Sequence, residues 1–305
     1  MLGGGHLAAR LQLVPAPVSR KQLSHLGDRL AADGPVSPED LALLEQVVEF
    51  YDELRSRAQD VIRVVAKREL VGQNVRVTGR TKTTLTLRDK LRRTPAVKLP
   101  YVRDIAGVRV VAEMKMHDQD RLADALCHEF DCADTAKRVD RRAEPIAGYR
   151  ALHVVLSVDG TPVEVQLRTE LQALWADLYE RQADLWGRQV RYGGEPDPGP
   201  SGSNDERQHL LGELVELSTE MIAKFEEQLD THEPTSEAEH AAKEAEARTL
   251  LRHRTKESLR RVTQIRAHQA RVKEIDAEID RILDEWSRVV RERLNRLADR
   301  ADSID

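Results

Sequence analysis

The sequence predicts a mixed α/β domain with a helical extension, and three observations carry that prediction. Short strand-like and longer helix-like apolar patterns alternate through the first part of the chain. The stretch GYRALHVVLSVDGTPVEVQLRT, residues 148–169, reads as a β-hairpin around an Asp-Gly turn. Residues 237–300 are dense in Arg, Glu and Ala, with apolar residues three and four apart, as in amphipathic helices.

The elements follow in order. Residues 1–36 lack a long apolar core and a small-residue cleavage site, so they are expected to form a flexible tail. Ser37-Pro38-Glu39-Asp40 is a helix start: a capping serine, proline at the first helical position, then acids in the first turn. Leu41, Leu44, Val47, Val48, Tyr51, Leu54, Ala58, Val61, Ile62 and Val65 carry that helix to about Leu70. Val75 and Val77 alternate with Arg76 and Thr78 as a short strand, and a helix fits 83–93. DIAGVRVVAE, residues 104–113, is nearly all apolar, as expected of a strand buried on both faces. A helix near 119–130 and a weak strand near 134–140 lead into the hairpin. After Thr169 the chain turns helical again, up to the Gly/Pro-rich GGEPDPGPSGSN at 193–204. The predicted organisation is therefore a domain at 37–195, a linker at 196–204 and a helical region at 205–305. Within that last region one helix fits 205–231, His232–Ser236 with Pro234 breaks it, and 237–300 forms one helix, a helical hairpin or a coiled coil.

Composition limits the function. The 305 residues carry 33% charged residues, 4% aromatics and a formal net charge of −5, so any anion-binding site must be local. Cys127 and Cys132 lack CxxC companions and read as reduced thiols of a cytoplasmic protein. The sequence has no run of 18 apolar residues, so no membrane partner is expected.

The hairpin carries the first chemical signal. If Asp159-Gly160 is the loop, Leu152, Val154, Leu156 and Val158 face Leu167, Val165, Val163 and Thr161. The opposite face then gathers Tyr149, His153, Glu164, Gln166 and Arg168, more like a site wall than a solvated surface. A second signal is basic. In GRTKTTLTLRDKLRR, Arg80 and Lys82 close the first strand near a helix N-terminus, and Lys90 and Arg93 share one helix face. This pattern suits phosphates but is not a Walker A loop, and a solvated basic helix is the alternative reading. Asp104 opens the next strand, as a turn residue or as a site carboxylate. By strict alternation Arg109 falls on the opposite face, unless a bulge at Gly107 brings the two together. Paired carboxylates beside cations are how Mg²⁺–phosphate sites are built.

These blocks, GRTKTTLTLRDKLRR, DIAGVRVV, GYRALH and VEVQLRT, resemble the RelA/SpoT-type alarmone synthetase family over roughly residues 40–195. The resemblance implies a nucleotidyltransferase-like α/β fold and a Mg²⁺-dependent pyrophosphokinase. Such an enzyme moves the β,γ-pyrophosphate of ATP to the 3′-hydroxyl of GDP or GTP. It implies that Arg80 and Arg109 sandwich the ATP adenine and that Lys82, Lys90 and Arg93 clamp phosphates. It implies that Asp104 ligates Mg²⁺ and that Glu164 holds the metal or activates the 3′-hydroxyl. Tyr149 would stack on the acceptor base and His153 would lie near the acceptor phosphates, with Gln166 and Arg168 in support. Thr86 stands where many members have serine, which keeps the hydroxyl. His117-Asp118 is the only His-Asp pair and lacks metal-site companions, so a small synthetase-only member is expected. The helix after VEVQLRT ends in VRYGG, as in some divergent small members, toxin-like ones among them. Those modify the 3′ end of tRNA or make adenosine alarmones. Here Lys137, Arg138, Arg141 and Arg142 suit either a tRNA CCA end or the 5′-phosphates of GDP. The C-terminal helices would then bind an antitoxin, act as one in cis, or form a homo-oligomer. A catalytically dead nucleotide-binding module is a third reading.

Overall fold

The protein is described by a computed structural model covering residues 15–198, 203–232, 237–252 and 255–304. It divides into two compact units, one through Ser218 and one over Thr219–Asp305.

The first unit is built on five strands: β1 (Arg76–Thr81), β2 (Ala106–Ala112), β3 (Lys137–Asp140), β4 (Leu152–Val158) and β5 (Thr161–Thr169). Their order is β1-β2-β5-β4-β3. The β2–β5 pair is parallel and the other pairs are antiparallel. This is the expected mixed α/β architecture. The helices of the unit are α1 (Arg20–Ala31), α2 (Pro38–Glu69), α3 (Thr84–Arg93), α4 (Met116–Glu129), α5 (Glu170–Trp186) and α6 (Ser203–Glu216). Ser37 caps α2, accepting from the Asp40 backbone N–H, with Pro38 at the first position. Leu44, Val47, Tyr51, Leu54, Ala58, Ile62 and Val65 are buried, so the periodicity of that helix does mark its core face.

The hairpin register is the one the turn demands. Leu152 pairs with Leu167, Val154 with Val165, Leu156 with Val163 and Val158 with Thr161. Asp159 and Gly160 take φ of 48° and 72°, the left-handed pair of a type I′ loop. Val154, Leu156, Val163, Val165 and Leu167 are fully buried on the face packed by α4. The β2 strand is buried along most of its length, as its composition predicts.

Two boundaries differ from expectation. Within residues 1–36, the flexible-tail assignment for residues 1–14 lies outside the described residues, but Arg20–Ala31 is the helix α1 rather than a tail. Ser19 and Gln22 form a reciprocal capping box, and Leu23, Leu26 and Leu30 are buried against α3 and the 3₁₀ turn Leu99–Tyr101. Arg29 pairs with Asp40, and Arg20 donates to the Gly160 carbonyl at 2.7 Å, which fixes α1 over the hairpin loop. The linker 196–204 does not end the first unit either; its residues 199–202 lie outside the described residues. Beyond it, α6 packs back: Trp175 Nε1 donates to the Leu214 carbonyl at 2.6 Å, and the Arg207 guanidinium lies 5.3 Å from the Trp186 ring centroid. Within it, Asp197 N–H donates to the Trp186 carbonyl at 2.6 Å. Composition marks a loop there; the apolar face of α6 decides where it docks.

The helix expected at 205–231 is continuous, with a π-helical stretch at Leu217–Ile222 between α6 and α7 (Ala223–Thr231). Pro234 lies outside the described residues. In the second unit α8 (Glu237–Arg252) and α9 (Lys256–Ile304) form an antiparallel hairpin, joined by Arg266–Glu244 at 3.0 Å and Gln269 to the His240 carbonyl at 2.9 Å. Phe225 of α7 meets Trp286 of α9 edge-on at 5.9 Å. No helix among the described residues is long and apolar enough to cross a membrane.

Gly148 carries a packing constraint. Its φ is +80°, and a Cβ there would meet Trp175 Cζ2 at 2.8 Å and Val215 Cα at 3.1 Å. Gly148→Ala is therefore expected to destabilise the first unit by about 1–3 kcal/mol. Gly212→Ala, on α6 with nothing within 4 Å of the added carbon, should be neutral or stabilise by about 0.5–1 kcal/mol. Urea denaturation of both variants checks this; a neutral Gly148→Ala would refute the packing argument.

Candidate functional site

The sheet face away from α4 carries a register of functional side chains. One row of cross-strand neighbours runs Thr78, Arg109, Gln166, His153 and Val139; the next runs Arg80, Gly107, Glu164 and Val155. Gly107 sits between Arg80 and Glu164, where the absence of a side chain leaves the floor open. Helix α5 crosses this face and contributes Trp175, Ala176, Tyr179 and Glu180 to the wall of a cavity of about 700 Å³. Of the residues predicted from sequence, Arg80, Lys82, Asp104, Arg109, Arg141, Tyr149, His153, Glu164, Gln166 and Arg168 all line it.

Asp104 lies in the turn before β2, so strand alternation does not govern it, and the β2 register runs without a bulge. Arg109 and Asp104 thus share the cavity without the bulge considered at Gly107. Lys82 Nζ lies 3.2 Å from Asp104 Oδ2, and Lys90 Nζ donates to Oδ1 at 2.5 Å. Burial alone would push the Asp104 carboxyl up; the two ammoniums more than reverse this and hold it below the ordinary value.

On the hairpin side the polar groups are chained. Arg168 Nη2 donates to Tyr149 Oη at 2.9 Å, Tyr149 Oη and His153 Nε2 are 2.8 Å apart, and His153 Nδ1 lies 3.3 Å from Glu164 Oε1. Arg168 has only donors. With a neutral imidazole, Tyr149 accepts from Arg168 and donates its own O–H to His153 Nε2. The ring proton then sits on Nδ1, facing the carboxylate. Burial pushes the Tyr149 hydroxyl up, opposed by the Arg168 charge. Arg168 also donates to Gln166 Oε1 at 2.9 Å and pairs with Glu180 at 3.3 Å, with its side chain only 1% exposed. Arg109 pairs with Asp177 at 2.7 Å and Glu180 at 3.6 Å. Those two acids escaped the sequence reading, although their i, i+3 spacing on an amphipathic helix places them on one face.

Three predicted residues fall elsewhere. Lys90 reaches the site only through Asp104. Arg93 is exposed on α3, outside the cavity lining, with Nε on the Asp89 carbonyl at 3.3 Å. Arg142, expected to bind the acceptor, is a structural tie. It donates to Asp140 at 2.9 and 2.7 Å, to Asp120 at 2.7 Å and to the Met116 carbonyl at 2.9 Å, with its side chain 9% exposed. A largely buried guanidinium takes the nearest carboxylates, and here they lie on β3 and α4. Arg138 likewise pairs with Asp124 at 2.6 Å.

Fold and cavity together give an α/β sheet with a cavity of about 700 Å³ on one face, cationic at one end and bearing two carboxylates. Residues 79–183 match the model for the "Region found in RelA / SpoT proteins". The chain is 37% identical over 206 residues to an uncharacterized protein of Mycobacterium tuberculosis, covering 67% of this chain and 74% of that protein. The same figures hold for an uncharacterized protein of Mycobacterium bovis. The chain belongs to the RelA/SpoT family. Among solved structures it is similar to small alarmone synthetase 2 from Bacillus subtilis, with 17% identity, 60% of this chain and 93% of that chain covered, and a TM-score of 0.42. It is also similar to small alarmone synthetase 1 of that organism bound to its product pppGpp, with 22% identity, 63% and 96% coverage, and a TM-score of 0.39.

The two arginines in sequence, Arg141 and Arg142, should separate cleanly. Arg142→Ala is expected to cost about 1–3 kcal/mol, because it strips partners from Asp120 and Asp140. Arg141→Ala should change stability by less than about 0.5 kcal/mol. Thermal denaturation distinguishes them; equal effects would remove the structural role assigned to Arg142.

Proposed function

We propose that the chain is an ATP-dependent pyrophosphokinase of the small synthetase-only type, acting on GDP or GTP. The observation that carries this is one cavity holding Arg80, Lys82 and Arg109 together with Asp104 and Glu164. Family membership supports the same chemistry. The acceptor's 3′ oxygen bonds to the β-phosphorus of ATP, and the bridging oxygen leaves with its electron pair on AMP. The hydroxyl proton passes to the Glu164 carboxylate. Lys82, with Lys90 behind Asp104, and Arg80 and Arg109 offset the charge on the phosphates and bind the adenosine end.

Asp104 and Glu164 present hard oxygen donors to the same cavity, which fits Mg²⁺, an ion that takes one or two carboxylates and completes its shell with phosphate and water. When bound, the ion neutralises the transferring phosphates. Glu164 is oriented for its task by His153 on Oε1 and Gln166 at 3.5 Å from Oε2. Tyr149 and Arg168 in turn orient His153.

The tRNA reading rested on Lys137, Arg138, Arg141 and Arg142. Arg138 and Arg142 are engaged with carboxylates, and Arg141 alone of the four lines the cavity. That favours a free nucleotide over a polyanion as acceptor.

Mass spectrometry of products formed from ATP and Mg²⁺ with GDP, GTP, ADP and deacylated tRNA offered together tests the assignment. Guanosine 3′-pyrophosphates are expected, and their absence from a folded preparation would overturn it. Glu164→Gln should lower turnover by roughly 100-fold or more. Tyr149→Phe keeps the ring but breaks the hydrogen-bond chain, and should lower kcat about tenfold. Full activity in Glu164→Gln would exclude the role given to that carboxylate.

A further inference from the structure

Among the described residues that line the cavity, one aromatic side chain, that of Tyr192, has neither a hydrogen bond nor a ring partner. Tyr149, the residue expected to carry the acceptor base, is held through its hydroxyl by Arg168 and His153, and the Arg168 guanidinium lies 5.0 Å from its ring centroid. Tyr192 also lines the cavity but is 68% exposed. An exposed tyrosine on a polar surface is ordinary. This one is mounted on a fixed backbone.

Tyr192 ends the 3₁₀ turn Arg188–Tyr192, bounded by Gly187 at φ +108° and Gly193 at φ +80°. The turn is pinned from beneath. Val190 is fully buried, and its carbonyl accepts from Tyr179 Oη at 3.1 Å. Gln189 holds the following strand of chain by donating to the Glu195 carbonyl at 3.0 Å and to Asp197 at 2.8 Å.

The turn crosses the mouth of the site. At its start Arg188 reaches Asp89 of α3 at 3.4 Å, beside Lys90. At its end Gly193 lies against Ala147, 3.9 Å from the position of an added Cβ. Ala147 belongs to the left-handed pair Ala147–Gly148 that presents Tyr149. Tyr192 therefore stands at the hairpin end of the cavity, whereas Arg80 and Lys82 enter from β1 at the other end of the sheet. An exposed ring carried on a pinned backbone at the rim of a nucleotide-sized cavity is what base stacking requires.

We propose that Tyr192 is a specificity-determining residue that stacks on the purine base of the acceptor nucleotide and closes the rim over it. This rests on the pyrophosphokinase reading, in which the hairpin end holds the acceptor.

Equilibrium titration of the full chain with GDP, and separately with α,β-methylene-ATP, tests it in the parent and in Tyr192→Ala, Tyr192→Phe and Tyr192→Trp. Loss of a stacked ring should weaken GDP binding roughly tenfold or more in Tyr192→Ala. Tyr192→Phe and Tyr192→Trp should stay within about threefold of the parent, since either ring stacks, and the ATP analogue should bind all four alike. In turnover, the KM for GDP should rise in Tyr192→Ala with the KM for ATP unchanged. Unaltered GDP affinity in Tyr192→Ala overturns the proposal while leaving the pyrophosphokinase reading intact. So does equal weakening of both nucleotides, which would indicate a general distortion of the cavity. A parent that binds neither nucleotide overturns both, and is recognised before any variant is compared.

Discussion

The two-residue turn Asp159-Gly160 governs the site. Both residues adopt left-handed backbone, and the sharp reversal sets which residues of β4 and β5 oppose one another. Strand side chains alternate strictly, so a slip of one residue would turn Glu164, Gln166 and Arg168 into the core and put Val163, Val165 and Leu167 in the cavity. Since β5 is the middle strand, pairing with β2 on one side and β4 on the other, its register is passed to both neighbours. Gly107 and Arg109 meet Glu164 and Gln166 through β2, and Arg80 is placed through β1.

Much of this was legible because it depends on local rules. The turn dipeptide and the period-two pattern specify the hairpin, its apolar face and the face that bears His153 and Glu164. Ser37-Pro38 and the periodic Leu, Val and Ile residues specify α2. The bulge considered at Gly107 proves unnecessary, for an instructive reason. Alternation counted from Asp104 assumes that Asp104 is already in the strand, whereas β2 begins at Ala106. Once the strand is started correctly, Gly107 and Arg109 fall on the site face with no bulge.

What escaped the sequence depends on partners distant along the chain. Nothing near Ser19 announces that Leu23, Leu26 and Leu30 will find α3, although the capping box itself was readable. Residues 193–204 look like a domain boundary by composition, yet α6 returns to cover Trp175. Just past α6, Ser218 donates to the Gly148 carbonyl at 2.6 Å, next to Tyr149 in the chain. Arg141 and Arg142 are chemically identical neighbours; only the positions of Asp120 and Asp140 decide that one is a tie and the other faces the cavity.

The same logic explains how a chain with net charge −5 maintains a cationic site. Lys82, Arg109 and Arg168, the half-buried and buried cations of the cavity, do not face the low-dielectric interior alone, which would be costly. Lys82 and Lys90 share Asp104, while Arg109 and Arg168 share Asp177 and Glu180. These pairs fix the side chains before any ligand enters, so an anionic ligand would exchange one anionic partner for another instead of ordering a mobile charge. The acids of α5 thus belong to the site as much as the cations do. They lower the net charge of the cavity while keeping its donors aimed, which is electrostatic preorganisation.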